Sequence, residues 1–254
     1  MLVEQTIDKL HQMRLFAMAT SFKERMARKE HTEVSVSDFI GFIVDDEWTQ
    51  RENNRGRTRL SKANFRDKAA CIEDWDHHQP RGLKKSQFIE FSQNHWLEKN
   101  ENLIITGPCG SGKSYLAQAL GQHACRSGYS VLYLWLPKFG TFISKAKADG
   151  SLPSFIKRAS KTKLLILDDW GLTPLLDSER HCLLEMIEDR YALGSTVITS
   201  QLATAEWHPY LGSGNVADSL CDRLIHNAHK IPLKTVESNR KTMRGLTQSK
   251  EEGK

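Results

Sequence analysis

The chain has 254 residues, 39% hydrophobic and 26% charged, and its 36 lysines and arginines exceed its 31 aspartates and glutamates, leaving a net charge of +5. That length can bury a substantial core, as one large domain or a domain with an appendage, and no run approaches the ~18 apolar residues of a membrane span. The five cysteines (Cys71, Cys109, Cys125, Cys182, Cys221) are scattered, without a Cys-x-x-Cys pair, and the N-terminus, with Glu4 and Asp8, has no apolar signal core. Neither a disulfide framework nor a zinc ribbon is indicated; a soluble protein of a reducing cytoplasm, with no membrane contact and a mild preference for anionic partners, is expected.

Residues 1–70 read as a small all-α N-terminal domain. Leu15, Met18, Phe22 and Met26 recur at spacings of three and four, and Ser35-x-x-Asp38 sets up a capped helix start before Phe39, Phe42 and Ile43. The run from Arg51 to Lys68 then holds seven basic residues (Arg51, Arg55, Arg57, Arg59, Lys62, Arg66, Lys68) against two acidic ones, an excess equal to that of the whole chain. Residues 71–100, which include His77 and His78 without companion ligands, read as a joining segment. From about residue 101 short apolar runs alternate with helical stretches. Asn102–Thr106, Val131–Trp135, Leu164–Leu167 and Thr196–Ser200 are predicted strands, and Ser111–Arg126 and Ser178–Ala192 predicted helices. The alternation gives an α/β domain over 71–246 with a central, mainly parallel sheet. Residues 247–254, TQSKEEGK, have no apolar residue and read as a disordered tail. Trp135, Trp170 and Trp207 read as packing residues.

Gly107-Pro108-Cys109-Gly110-Ser111-Gly112-Lys113-Ser114 fits G-x-x-x-x-G-K-[ST], after a predicted strand and opening a predicted helix. Glycines let the backbone turn its N–H groups onto phosphate oxygens, and a helix N-terminus favours anions. The lysine (Lys113) reaches the β and γ phosphates, the Ser114 hydroxyl serves Mg2+, and Tyr115 closes the expected nucleotide-binding set. The strand Leu164–Leu167 runs into Asp168 and Asp169. In a P-loop protein the acidic residue ending a second strand holds the metal, which assigns Asp168; Asp169 reads as a general base for the attacking water or else as a capping carboxylate. Asp168 to Gly171 also fits the D-x-x-G of GTPases, but no Asn-Lys-x-Asp or Thr-Lys-x-Asp follows, so ATP is the expected nucleotide.

With the N-terminal pattern LHQMRLFAMATSFKERM, the basic EWTQRENNRGRTRLSKANF, the phosphate loop, LLILDDWGL, STVITSQ and a late ESNR, the chain resembles the IstB-type transposition helper ATPases. These belong to the AAA+ class and are related to DnaC-type helicase loaders and DnaA. The resemblance implies a sensor role for Ser200 and Gln201 and an intersubunit arginine finger at Arg223. The alternative for Arg223 is pairing with Asp222 or Asp218. A nucleotide contact is implied for Arg240, where Asn239 stands in place of the usual Tyr. The class usually carries Glu at the position of Asp169, and the shorter side chain suggests slow turnover, as in a timed switch.

The implied function is a bacterial, cytoplasmic, ATP-dependent helper that forms homo-oligomers on double-stranded target DNA, hydrolyses ATP and recruits or stimulates its transposase. A replicative helicase loader and a non-catalytic DNA-binding scaffold are the alternatives. For DNA, one candidate patch is Arg55, Arg57, Arg59 and Lys62, with Trp48 and Phe65 as neighbours; the run is otherwise a solvated helix face or a protein contact. Lys138, Lys145 and Lys147 form the second candidate.

Overall fold

The computed structural model describes residues 3–76, 81–212 and 214–234. Its contacts divide the chain into two compact units, Met1–Thr58 and Arg59–Lys254. The division falls earlier than the boundary at residue 70 expected from the sequence because Ala63, Phe65 and Ala70 are buried in the second unit's core.

The first unit contains α1 (Val3–Gln12), α2 (Phe16–Ala27) and most of α3 (Val36–Ala63), whose last turn belongs to the second unit. The expected cap at the start of α3 forms: Asp38 N–H donates to Ser35 Oγ at 3.1 Å. The free N–H groups at the start of α2 are satisfied from α3, Ala17 and Met18 donating to Glu47 Oε2 at 2.9 and 3.0 Å. Burial works against the Glu47 charge, yet these bonds and the Arg51 guanidinium hold its carboxyl below the ordinary value of 4.5.

The second unit opens with short helices α4 (Lys85–Ser92) and α5 (His95–Glu98). It continues through β1 (Asn102–Thr106), α6 (Lys113–Arg126), β2 (Val131–Trp135), α7 (Phe139–Ala148), α8 (Leu152–Lys161) and β3 (Leu164–Trp170) to α9 (Asp177–Arg190), β4 (Ser195–Ser200), α10 (Trp207–Tyr210), α11 (Asn215–Ile225) and β5 (Ala228–Pro232). The five strands pair in parallel in the order β2-β3-β4-β1-β5. Alternate residues face opposite sides, so Leu103 and Ile105 enter one core with α6 and the 63–97 segment, while Ile104 enters the other with α7, α8, α9 and α11. The segment expected to be a joint is therefore core-forming: Ile72, Trp75, Phe88, Phe91, Trp96 and Leu97 are all buried in it. Among the described residues no helix is long and apolar enough to cross a membrane.

Candidate functional site

The phosphate loop leaves the C-terminal end of β1, an inner strand between β4 and β5, on the C-terminal side of the sheet where α/β sheets bind ligands. Two glycines fix its path. A Cβ on Gly107 would lie 2.4 Å from the Leu233 carbonyl oxygen. Gly112 caps α6 with φ 94°, in the left-handed region that side chains disfavour. Lys113 opens α6 almost buried, its Nζ donating to the Pro108 carbonyl at 2.9 Å. Burial lowers its pKa, and Asp169 and Asp168 oppose that effect.

The two carboxylates arrive together because β3 is irregular. A regular strand would send Asp168 and Asp169 to opposite faces, but the β3–β4 register shifts between Leu167 and Trp170, and Asp169 has φ 62°. Both then line one cavity of about 750 Å³ with Gly110, Gly112, Lys113 and Ser114. Asp168 is 1% exposed, its Oδ2 accepting from Tyr133 Oη at 2.6 Å and its Oδ1 from Thr199 Oγ1. Burial first, and then the neighbouring Asp168, raise the Tyr133 phenol far above its ordinary pKa, so it remains a donor. Asp169 is held at both ends: its N–H donates to Thr199 Oγ1 at 2.9 Å, and its Oδ2 accepts from Trp135 Nε1 at 2.9 Å.

The other wall comes from residues 66–71. Gln118 accepts from Asp67 N–H and Gln122 donates to the Asp67 carbonyl; Tyr115 Oη donates to the Cys71 carbonyl and accepts from its N–H. Tyr115 thus anchors this wall to α6, and Arg66, Asp67, Lys68 and Ala69 face the same cavity.

The cavity fits a nucleotide polyphosphate. The Ser111 hydroxyl is buried without a partner, and the Ser114 hydroxyl makes no hydrogen bond among the described residues. No cluster of three or more His, Cys, Asp or Glu suited to a metal occurs among those residues. A cation here would take Ser114 and Asp168 and draw the rest of its shell from phosphate oxygens and water, as suits Mg2+.

Of the two residues expected as sensors, Gln201 lines the cavity, whereas the Ser200 hydroxyl is spent on backbone, donating to the Trp170 carbonyl and accepting from Leu202 N–H. Arg223 lies at the other end of the sheet. Its carbonyl accepts from Asn102, where β1 begins, about 13 Å of strand from the loop at about 3.3 Å per residue. Its guanidinium pairs with Glu188 on α9 at 3.1 Å and lies over Tyr191, so neither Asp222 nor Asp218 is its partner. Arg240, His77, His78 and the tail 247–254 lie outside the described residues.

The basic run does not act as one face. Arg51 pairs with Glu47 and Arg55 with Glu52, Arg59 Nε donates to the Cys125 carbonyl on α6, and Arg57 and Lys62 are exposed. Lys138 and Lys145 border a second hollow with Phe65, Arg66, Trp135 and Phe142. Trp170 and Trp207 are packing residues, as expected, while Trp135 also bonds Asp169. Sequence reasoning missed Tyr133, Trp135, Thr199 and Arg66. The signal available for the first two was their i,i+2 spacing at the end of the strand paired with β3, where Trp135 stands in register with Asp168.

Residues 8–247 match the family model described as IstB-like ATP binding protein. An insertion sequence ATP-binding protein of Sinorhizobium fredii (strain NBRC 101917 / NGR234) is 41% identical over 244 residues, 96% of this chain and 99% of that protein. The ATP-binding protein of insertion sequence IS21 from Pseudomonas aeruginosa is 28% identical over 232 residues, 91% of this chain and 86% of that protein. Among solved structures, the DnaC helicase loader superposes with a TM-score of 0.54 at 21% identity, over 65% of this chain and 97% of that one. Replication initiator DnaA bound to AMPPCP and single-stranded DNA gives 0.57 at 18%, over 74% of this chain and 56% of that one. At those identities the structural likeness is one of fold, the P-loop AAA+ domain.

Proposed function

We propose a function from one premise: the chain belongs to the IstB-like ATP-binding protein family. Its role is ATP binding in transposition, and the finer reading is an ATP hydrolase that works as an assembly on target DNA. The observation that carries this reading is the separation of parts. Loop, lysine, both aspartates and Gln201 share one cavity, while Arg223 stands at the far end of the same sheet.

In this reading the loop N–H groups and Lys113 bind the β and γ phosphates, and Ser114 and Asp168 hold Mg2+. The metal, when bound, neutralises phosphate charge. Tyr133 and Thr199 hold Asp168 as an oriented anion. Gln201 orients a water, and Asp169 takes its proton as the water oxygen bonds to the γ phosphorus and the bond to the β-γ bridging oxygen breaks. The bond from Trp135 occupies Asp169 Oδ2 and leaves Oδ1 for that proton. Arg223 completes the site of a neighbouring subunit, a contact worth about 10³ to 10⁵ in rate in phosphoryl transfer, so turnover requires assembly.

Lys138 and Lys145, beside the exposed ring of Phe142, support DNA contact at the second hollow better than the ion-paired run on α3 does. Exposed Val36, Ile40, Val44 and Trp48 repeat every four residues along α3, an apolar face suited to a protein partner such as the transposase. The whole-length insertion-sequence relatives support transposition over helicase loading.

The test is light scattering with and without ATP and a random-sequence duplex. A large species that needs both ligands, and that Arg223→Ala abolishes or leaves unable to turn over, supports the reading. A monomer under all conditions removes it. Charge reversal of Lys138 and Lys145 lowers the salt slope of DNA binding by about 0.9 per lost phosphate contact.

A further inference from the structure

Arg66 differs from the other arginines of the basic run. Its guanidinium carbon lies 4.3 Å from the centroid of the Trp135 ring, and among the described residues it forms no hydrogen bond or ion pair. Stacking on a ring face fixes a guanidinium plane while leaving its N–H edge free, the arrangement suited to two-pronged recognition of a phosphate. Arg66 lines the same cavity as Gly110, Gly112, Lys113, Ser114, Asp168 and Asp169, at its border with the second hollow, where Trp135 lies. Its platform, Trp135, donates its own N–H to Asp169. A cation stacked on the ring that bonds Asp169, in the cavity that also holds Lys113, stands where the far end of a triphosphate would come.

We propose that Arg66 is a positioning residue for the γ-phosphate, acting within its own chain and distinguishing ATP from ADP. The proposal rests on the reading of this cavity as the ATP site. It gives the end of the basic run a role in nucleotide recognition in place of DNA contact. Trp135 then links the group that meets the γ-phosphate to the carboxylate that takes the proton.

The experiment is calorimetric binding of a non-hydrolysable ATP analogue and of ADP, each with Mg2+, to the full chain and to Arg66→Ala, Arg66→Lys and Lys113→Ala, with DNA affinity measured in parallel. The proposal predicts that Arg66→Ala weakens the ATP analogue by about 10- to 100-fold, the range for one or two charge-assisted bonds, while ADP affinity stays within about threefold. Unchanged ADP affinity also establishes that the variant site is folded. Equal loss of both nucleotides in Arg66→Ala and in Arg66→Lys overturns the proposal by making Arg66 structural. Unchanged nucleotide binding with weakened DNA binding overturns it by assigning Arg66 to the hollow it shares with Lys138. Full binding by Lys113→Ala is a different failure, that of the ATP site itself.

Discussion

Replacing Thr199 with Val is the sharpest probe of how the two aspartates are held. Thr199 is fully buried, and its one hydroxyl donates to Asp168 Oδ1 while accepting the Asp169 N–H at 2.9 Å. Val keeps the volume and removes both bonds. A hydrogen bond to a charged group contributes about 1.5–3 kcal/mol, and a buried N–H left without an acceptor costs about 1–3 kcal/mol. Taking both near their lower ends gives about 3 kcal/mol, which in a domain of this size lowers Tm by about 6–12 °C. Thr199→Ser keeps the hydroxyl, loses one methyl and costs about 1 kcal/mol. Thermal unfolding by circular dichroism, with nucleotide titrations of each variant, reads the difference. The reasoning fails if Val lies within about 2 °C of the parent, or if Ser destabilises as much as Val.

Two other outcomes follow from named contacts. Asp169→Glu, which restores the residue usual in AAA+ proteins, is expected to lower turnover at least about tenfold with nucleotide affinity intact. The reason is the left-handed backbone at φ 62°, which Asp tolerates better than Glu, together with a reach fitted to Trp135; single-turnover kinetics decide, and a faster variant refutes this. In the first unit, Glu47→Ala removes the acceptor for two N–H groups and should cost about 1–2 kcal/mol, read as faster hydrogen exchange in α2. The folded Glu47 carboxyl titrates below its unfolded value of 4.5, so its contribution is complete above that pH and lost as pH falls through the folded value. The exchange difference between parent and variant should therefore shrink with acidification, and a constant difference contradicts the assignment.

The parts of the fold that the sequence made legible were those with one dominant signal. Asn102–Thr106 and Val131–Trp135 have the bounds expected, because unbroken apolar runs between turn residues have few other uses. β5 was illegible: an edge strand of Ala, His, Lys, Ile and Pro buries little and has no alternation to detect. The segment 71–100 looked like a joint because its aromatic residues are irregularly spaced, although tertiary packing buries them. At the site, the loop and doublet are contiguous in sequence and were readable. Tyr133, Thr199 and Arg66 come from two other strands and a preceding segment, and only sheet order and the β3 register shift bring them to Asp168 and Asp169. The alternative reading of Arg223, an ion pair with Asp222 or Asp218, failed because its guanidinium turns to Glu188 on α9 and to Ser219 one turn back on its own helix, a choice set by packing against α9.

The central claim is that one chain's aspartates work with another chain's Arg223. The most direct measurement mixes Arg223→Ala with Asp169→Asn, each inactive alone, on DNA with saturating ATP, and follows phosphate release. Head-to-tail interfaces pair an intact Asp169 site with an intact Arg223 in about a quarter of positions at equal mixing, so activity should reappear at about that fraction of the parent. A mixture as inactive as its components contradicts the shared site.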